Sequence, residues 1–253
     1  MLSPKPWQRE PGARLILGLI ITICLGGLLL AFADRLIGGL SSKEQQVLRL
    51  VMVAFFYQGI ALFWIGLFFR EHGVGWSEAI GLSDSQRART IGLGILGGVC
   101  VVPVAMGLVT LFDWILTQTA IAPEEQLAVR ILKQTITKEP VENLLGAFKL
   151  TWMILAVTVV PAAEEILFRG ILYPSLKQRG SAWFAFCATS ILFAEIHFNL
   201  VTLVPLTVLA MLFTWLYEET DSLLAPIIAH SIFNGANILL LEFGESLRKM
   251  GPF

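Results

Sequence analysis

Six ionisable side chains stand in otherwise apolar surroundings: Glu164, Glu165, Arg169, Glu195, His197 and His230. In Ala163-Glu164-Glu165-Ile166-Leu167-Phe168-Arg169, each helical residue advances by about 100°, so Glu165 and Arg169 at i and i+4 share a face and can pair. Glu164 then points elsewhere, with a second carboxylate beside it. Burial next to a like charge strengthens a carboxylate's hold on a proton, which a general base working near neutrality requires. A solvated helix end would carry the same cluster, and that alternative stays open on this motif alone. The second motif is Phe193-Ala194-Glu195-Ile196-His197, ending near a turn marked by Asn199. Glu195 falls on roughly the opposite helix face from His197, and His197 taken alone reads first as a structural helix-end histidine. The third is His230-Ser231-Ile232-Phe233-Asn234, which puts His230 and Asn234 on one face of an apolar helix. Two such groups need partners or a water-filled cavity. Together the three motifs supply a base, an imidazole to position water, and donors for a developing oxyanion, the equipment for hydrolysing an amide.

The elements that carry these residues are membrane helices. The chain has 253 residues, 56% of them hydrophobic and only 15% charged. Mean hydropathy is +0.74. Too little charge is present to cover a soluble domain of this size. The net charge of −1 offers no basic stripe for phosphates, which argues against a nucleic-acid partner. The apolar runs Leu15–Ala33, Leu50–Phe69, Thr90–Phe112, Ile196–Tyr217 and Ser222–Leu241 approach or exceed the roughly 20 residues that cross a bilayer. Leu150–Ala163 and Gly180–Ala194 reach that length once a few ionisable residues are admitted. The expectation is an all-α polytopic bundle of seven to eight transmembrane helices. Pro123–Lys138, with charges along its length, is expected to lie at the interface. The chain reads as one membrane domain over 1–253, with N-terminal helices in 15–117 and a polar core in 144–242. The first run ends Ala31-Phe32-Ala33, like a signal-peptidase site, but its length favours an uncleaved helix. Lys and Arg divide almost evenly between the two sides, so orientation is open.

Three smaller features complete the reading. Gly92, Gly94 and Gly97 spell G-x-G-x-x-G, yet inside an apolar run they lack the strand and amphipathic helix of a dinucleotide site. Gly94 and Gly98 are instead a small-residue pair that lets helices approach closely. Pro161 and Pro226, just before Glu164 and His230, each remove a helix hydrogen bond and favour a bend. Cys24, Cys100 and Cys187 are far apart and form no metal or disulfide pattern.

In order, Glu-Glu-x-x-x-Arg, Phe-x-x-x-His and His-x-x-x-Asn resemble the CPBP family (CAAX protease and bacteriocin-processing, or abortive infection), intramembrane proteases related to the CAAX prenyl endopeptidase. The resemblance covers about residues 150–242 and includes the approach Ser222–His230. It implies that Glu164 is the general base and that His197 helps to bind and activate water. It further implies that His230 and Asn234 stabilise the oxyanion, with Glu165 and Arg169 in support. The implied substrate is a membrane-associated or prenylated protein or peptide, the implied location the cell membrane of a prokaryote, and no cofactor is called for. Zinc on His197, His230 and Glu164 is the alternative; the absence of HExxH weighs against it. Glu195 departs from the small or apolar residue usual there. A non-catalytic scaffold or bacteriocin-immunity protein is the alternative function. An ion-coupled transporter is the third, disfavoured by the lack of an internal repeat.

Overall fold

The computed structural model describes residues 2–36, 42–82, 86–119 and 144–249. Among them every regular element is helical: α1 (Arg9–Leu36), α2 (Ser42–Glu71), α3 (Trp76–Ile80), α4 (Arg87–Thr117), α5 (Leu144–Val157), α6 (Val159–Glu165), a π-helix (Ile166–Leu172), α7 (Tyr173–Lys177), α8 (Ala182–Glu195), α9 (Leu200–Thr220) and α10 (Leu224–Lys249). In hydrocarbon a backbone must satisfy its own hydrogen bonds, and helices do so within one segment. The protein is an all-α membrane helix bundle. Four described helices are long and apolar enough to cross a membrane: Arg87–Thr117, Lys149–Lys177, Leu200–Thr220 and Leu224–Leu241. Gly12–Gly26 and Ala182–Glu195 are shorter apolar helices. The expected interfacial stretch Pro123–Lys138 lies outside the described residues.

Two boundaries differ from the sequence reading. The run that begins at Ile196 becomes helical only at Leu200, because the Asn199 side chain accepts from the Thr202 N–H at 2.9 Å and caps α9 there. The Glu-Glu-Arg motif does not close a helix. It sits inside the Lys149–Lys177 span, in a chain that bends through successive helical segments.

The described chain forms two compact units. The first comprises Met1–Trp7, Phe69–Gln126 and Glu164–Phe233. Its centre is α9, whose buried stripe includes Leu209, Ala210, Phe213, Thr214, Leu216 and Tyr217. Leu209, Phe213 and Leu216 pack with Val101 of α4 and with Ala225 and Ala229 of α10. Phe168, Phe193 and Ala210 form a second core cluster. The Gly94 and Gly98 pair performs as read. A Cβ on Gly94 would stand 2.7 Å from the Ala225 carbonyl oxygen, and one on Gly98 3.0 Å from the Ala229 Cα, so α4 and α10 touch backbone to backbone.

The second unit comprises Gln8–Phe68, Leu127–Ala163 and Asn234–Phe253. Within it, α1 and α2 meet where Gly18 lies under the Trp64 ring and Gly26 under the Tyr57 ring. The Trp64 indole donates to Thr22 Oγ1 at 3.2 Å, so its polar edge is satisfied in an apolar setting.

Candidate active site

The first unit gathers Glu164, Glu165, Arg169 and His230 around one carboxylate. Glu165 is fully buried, and its Oε1 accepts from Arg169 Nη1 at 2.9 Å and from His230 Nδ1 at 2.8 Å. The i,i+4 pairing follows from the helix. The bond to His230 joins residues 65 apart in the chain, and sequence spacing gives no sign of it. Arg169 is held from every side. It donates through Nη2 to the Ala210 carbonyl at 3.0 Å and through Nε to Thr214 Oγ1 at 3.4 Å. Its guanidinium lies 4.5 Å from the Phe193 ring centroid and 5.4 Å from that of Phe213. A delocalised cation flanked by aromatic faces is the form of charge that tolerates burial best.

His230 stacks on Phe213 at 5.0 Å and meets Phe193 edge-on at 5.9 Å. With Nδ1 donating to the Glu165 carboxylate, its other nitrogen, Nε2, faces Glu164 Oε2 at 3.9 Å. Glu164 differs from its neighbour in access: its side chain is 18% exposed and that of Glu165 is 0%. Of the two carboxylates, then, Glu164 is the more accessible.

His197 follows the C-terminal end of α8. Its Nδ1 meets the Phe193 carbonyl at 2.7 Å. A carbonyl only accepts, so Nδ1 carries the proton and Nε2 is the available atom. The Phe193 ring lies 5.1 Å from the His197 ring as well as touching that of His230, so one phenyl group buttresses both imidazoles. The next residue, Phe198, has φ of +48° and is 94% exposed, an unusual conformation for a bulky side chain. Glu195 is exposed at the end of α8. Asn234 belongs to the second unit, where its Nδ2 donates to the Ala156 carbonyl at 2.8 Å. Among the described residues no group of three or more His, Cys, Asp and Glu side chains is placed to hold a metal ion.

The helix carrying the first motif departs from α geometry just before Glu164 and again from Ile166 onward, within the motif. Upstream, Pro161 deprives Val157 of its i+4 donor, and α5 gives way to α6 at Thr158. Downstream lies the feature the sequence reading missed, the π-helix Ile166–Leu172, with the Tyr173 N–H reaching back five residues to the Phe168 carbonyl. Its signal is Pro174. Proline has no N–H for the Gly170 carbonyl, and its ring crowds the carbonyl four residues back. Widening the preceding turns relieves that crowding. Arg169 lies within the widened segment, in keeping with the frequent placement of π-bulges at functional sites.

Residues 146–236, which hold all three motifs, match the family model "Type II CAAX prenyl endopeptidase Rce1-like". Two curated bacterial proteins are similar to the chain. "Putative membrane peptidase YdiL" of Bacillus subtilis (strain 168) is 34% identical over 83 residues, 32% of this chain and 34% of that protein. "UPF0177 protein YxdF" of Lactococcus lactis subsp. lactis (strain IL1403) is 33% identical over 88 residues, 33% of this chain and 48% of that protein. The chain thus spans about a third and about half of the lengths of the two curated relatives. No solved structure matches. Over the segment that carries its buried polar residues, this membrane protein is similar to the Rce1-like CAAX prenyl endopeptidases.

Proposed function

We propose that the protein is an intramembrane endopeptidase that cleaves a peptide bond of a membrane-associated or prenylated protein or peptide, with a glutamate-activated water as nucleophile. Its setting is the cell membrane of a prokaryote. One observation carries the reading: the accessible carboxylate of Glu164 stands 3.9 Å from Nε2 of His230, an imidazole fixed by a second, buried carboxylate.

The chemistry divides among the residues as follows. Glu164 removes a proton from water as the oxygen attacks the substrate carbonyl. His197, with Nδ1 held by the Phe193 carbonyl, offers Nε2 as the acceptor that orients that water. His230 donates to the oxyanion through Nε2, which requires the doubly protonated ring, since Nδ1–H is already committed to Glu165. Asn234, one turn further along α10, has a second amide hydrogen beyond the one given to Ala156 and joins His230 as an oxyanion donor. Glu164 then returns its proton to the departing amine, so the cycle closes without net proton uptake. Arg169 balances the charge of Glu165 through their 2.9 Å ion pair. No step requires a cofactor.

The test is turnover of a prenylated peptide by the purified full chain before and after exhaustive chelation, with wild type beside Glu164→Gln. Loss of a general base costs about 10²–10⁴ in rate. The reading expects that loss in Glu164→Gln, near-normal folding of the variant, and wild-type activity that survives chelation. Stoichiometric zinc whose removal abolishes activity and whose return restores it would overturn the glutamate mechanism. Absence of cleavage by the wild type would favour a scaffold or immunity role.

A further inference from the structure

The carbonyl left without an α-helical donor by Pro174 has a partner from far away in the chain. Trp7 Nε1 donates to the Gly170 carbonyl at 2.8 Å, across 163 residues. Its ring stacks on Phe69 at 5.8 Å and meets His72 edge-on at 5.2 Å. The segment leading to it is tied to the same region of the first unit. The Leu2 N–H donates to Glu218 Oε2 at 3.3 Å, Lys5 Nζ pairs with Asp221 Oδ1 at 2.8 Å, and Gln178 Nε2 donates to the Lys5 carbonyl at 3.0 Å. Glu218 also accepts from Tyr173 Oη at 2.6 Å and from Lys177 Nζ. Residues 2–7 therefore connect the end of α9 to the stretch that runs from the π-helix through α7.

That stretch has little freedom if the site is to stay assembled. Arg169, one residue before Gly170, must meet Glu165 on its own helix and Ala210 and Thr214 on α9 at once. A π-helix is less stable than an α-helix and persists where surrounding contacts impose it. The indole bond supplies one such contact at the carbonyl where the α ladder is interrupted.

We propose that Trp7 is a positioning residue: its indole N–H fixes the Gly170 carbonyl, holds the π-helical register, and so places Arg169, Glu165 and His230 for Glu164. The proposal rests on the peptidase reading for its kinetic consequence, and its structural consequence can be measured without any activity. Trp7→Phe keeps a ring on Phe69 and removes only the donor. Pro174→Ala restores a backbone N–H four residues after Gly170, so the carbonyl no longer depends on the indole.

Both substitutions, singly and together, are assayed in the full chain on a farnesylated peptide. One hydrogen bond corresponds to roughly a two- to tenfold effect. Trp7→Phe is expected to lower kcat by that factor, with KM and the thermal midpoint close to wild type. In the Pro174→Ala background the same substitution should change kcat little. Deuterium uptake over residues 166–178 should rise in Trp7→Phe and not in the double variant relative to Pro174→Ala. An unchanged kcat in Trp7→Phe, an equal loss in both backgrounds, or a loss explained by the folded fraction would overturn the positioning role. If the wild type cleaves nothing, the peptidase reading fails and exchange decides the clamp: unchanged uptake in Trp7→Phe would overturn it.

Discussion

Breaking the Glu165–Arg169 pair from one side should damage the protein more than removing both charges. Both side chains are almost fully inaccessible, 0% and 1% exposed, and meet at 2.9 Å. Arg169→Met deletes three hydrogen bonds, to Glu165, Ala210 and Thr214, and leaves a buried carboxylate supported only by His230. Glu165→Gln leaves the guanidinium among Phe168, Phe193 and Phe213 with no ionised partner bonded to it. Removing one member of a buried pair costs roughly 3–5 kcal/mol. Against a total stability on the order of 5–15 kcal/mol, either single change should lower expression in membranes and the thermal midpoint in detergent. Replacing a buried pair by apolar or neutral groups of similar volume is often close to neutral. The double variant Glu165→Gln/Arg169→Met should therefore recover much of the midpoint lost by the singles, by more than the few tenths of a kcal/mol expected of independent sites. It should remain inactive, because His230 loses the carboxylate that holds Nδ1. The measurement is a double-mutant cycle on thermal or denaturant midpoints, with turnover recorded in parallel. Additive losses would refute the pair as the source of the stability. A stable, inactive Arg169→Met would place Arg169 in the chemistry itself.

The remaining predictions address access, packing and pH. His197→Ala should cost activity with little loss of midpoint, since His197 lies in a turn; His230→Ala should cost both, because its ring fills space between Phe213 and Phe193. As an oxyanion donor, His230 should contribute about 10²–10³ in kcat. Gly98→Val should destabilise by about 1–3 kcal/mol or more, read as a lower midpoint, because the added carbons meet α10 backbone that cannot swing away. Burial works against ionised Asp221, but hydrogen bonds from Lys5 and Ser3 outweigh it and hold the carboxyl below its ordinary value of 3.8. Its contribution to stability is therefore present above that ordinary value and is lost as pH falls through the lower folded one. Lys5→Met should flatten this acid-side loss slightly, the carboxylate being 38% exposed, as followed by midpoints across acidic pH.

What the sequence disclosed, and what it hid, follows the range of each interaction. The Glu165–Arg169 pair was readable because helical periodicity fixes neighbours four apart. The Gly94–Gly98 seam was readable because small residues at that spacing have few other uses in an apolar helix. The bond from His230 to Glu165 was not, because nothing in local spacing states which helices meet. Ile196 and Phe198 extended an apolar run past its helical limit, although Asn199 carried the capping signal. The π-helix had a local sign in Pro174, but widening rather than breaking is decided by Arg169 and its partners on α9. Leu2–Trp7 has no periodicity at all, so its ties to Gly170, Glu218 and Asp221 exist only in the folded chain.

Counted along the chain, the π-helix is equivalent to one extra residue in a helix that would otherwise run at 3.6 residues per turn. Deleting a single residue between Ile166 and Leu172 would let the ladder close in α geometry while leaving everything beyond it close to its present orientation relative to Glu164, because the wide turns hold the extra residue without advancing the helix by a further 100°. Tyr173 and Lys177 would stay near Glu218, whereas Arg169, inside the widened segment, would shift relative to Glu165 and α9. A shortened helix of better regularity would thus keep its two ends and lose the placement of the guanidinium between them. Residue count in this stretch is consequently a constraint separate from residue identity: substitutions here can be graded, whereas a one-residue deletion moves the side chains of the wide turns together.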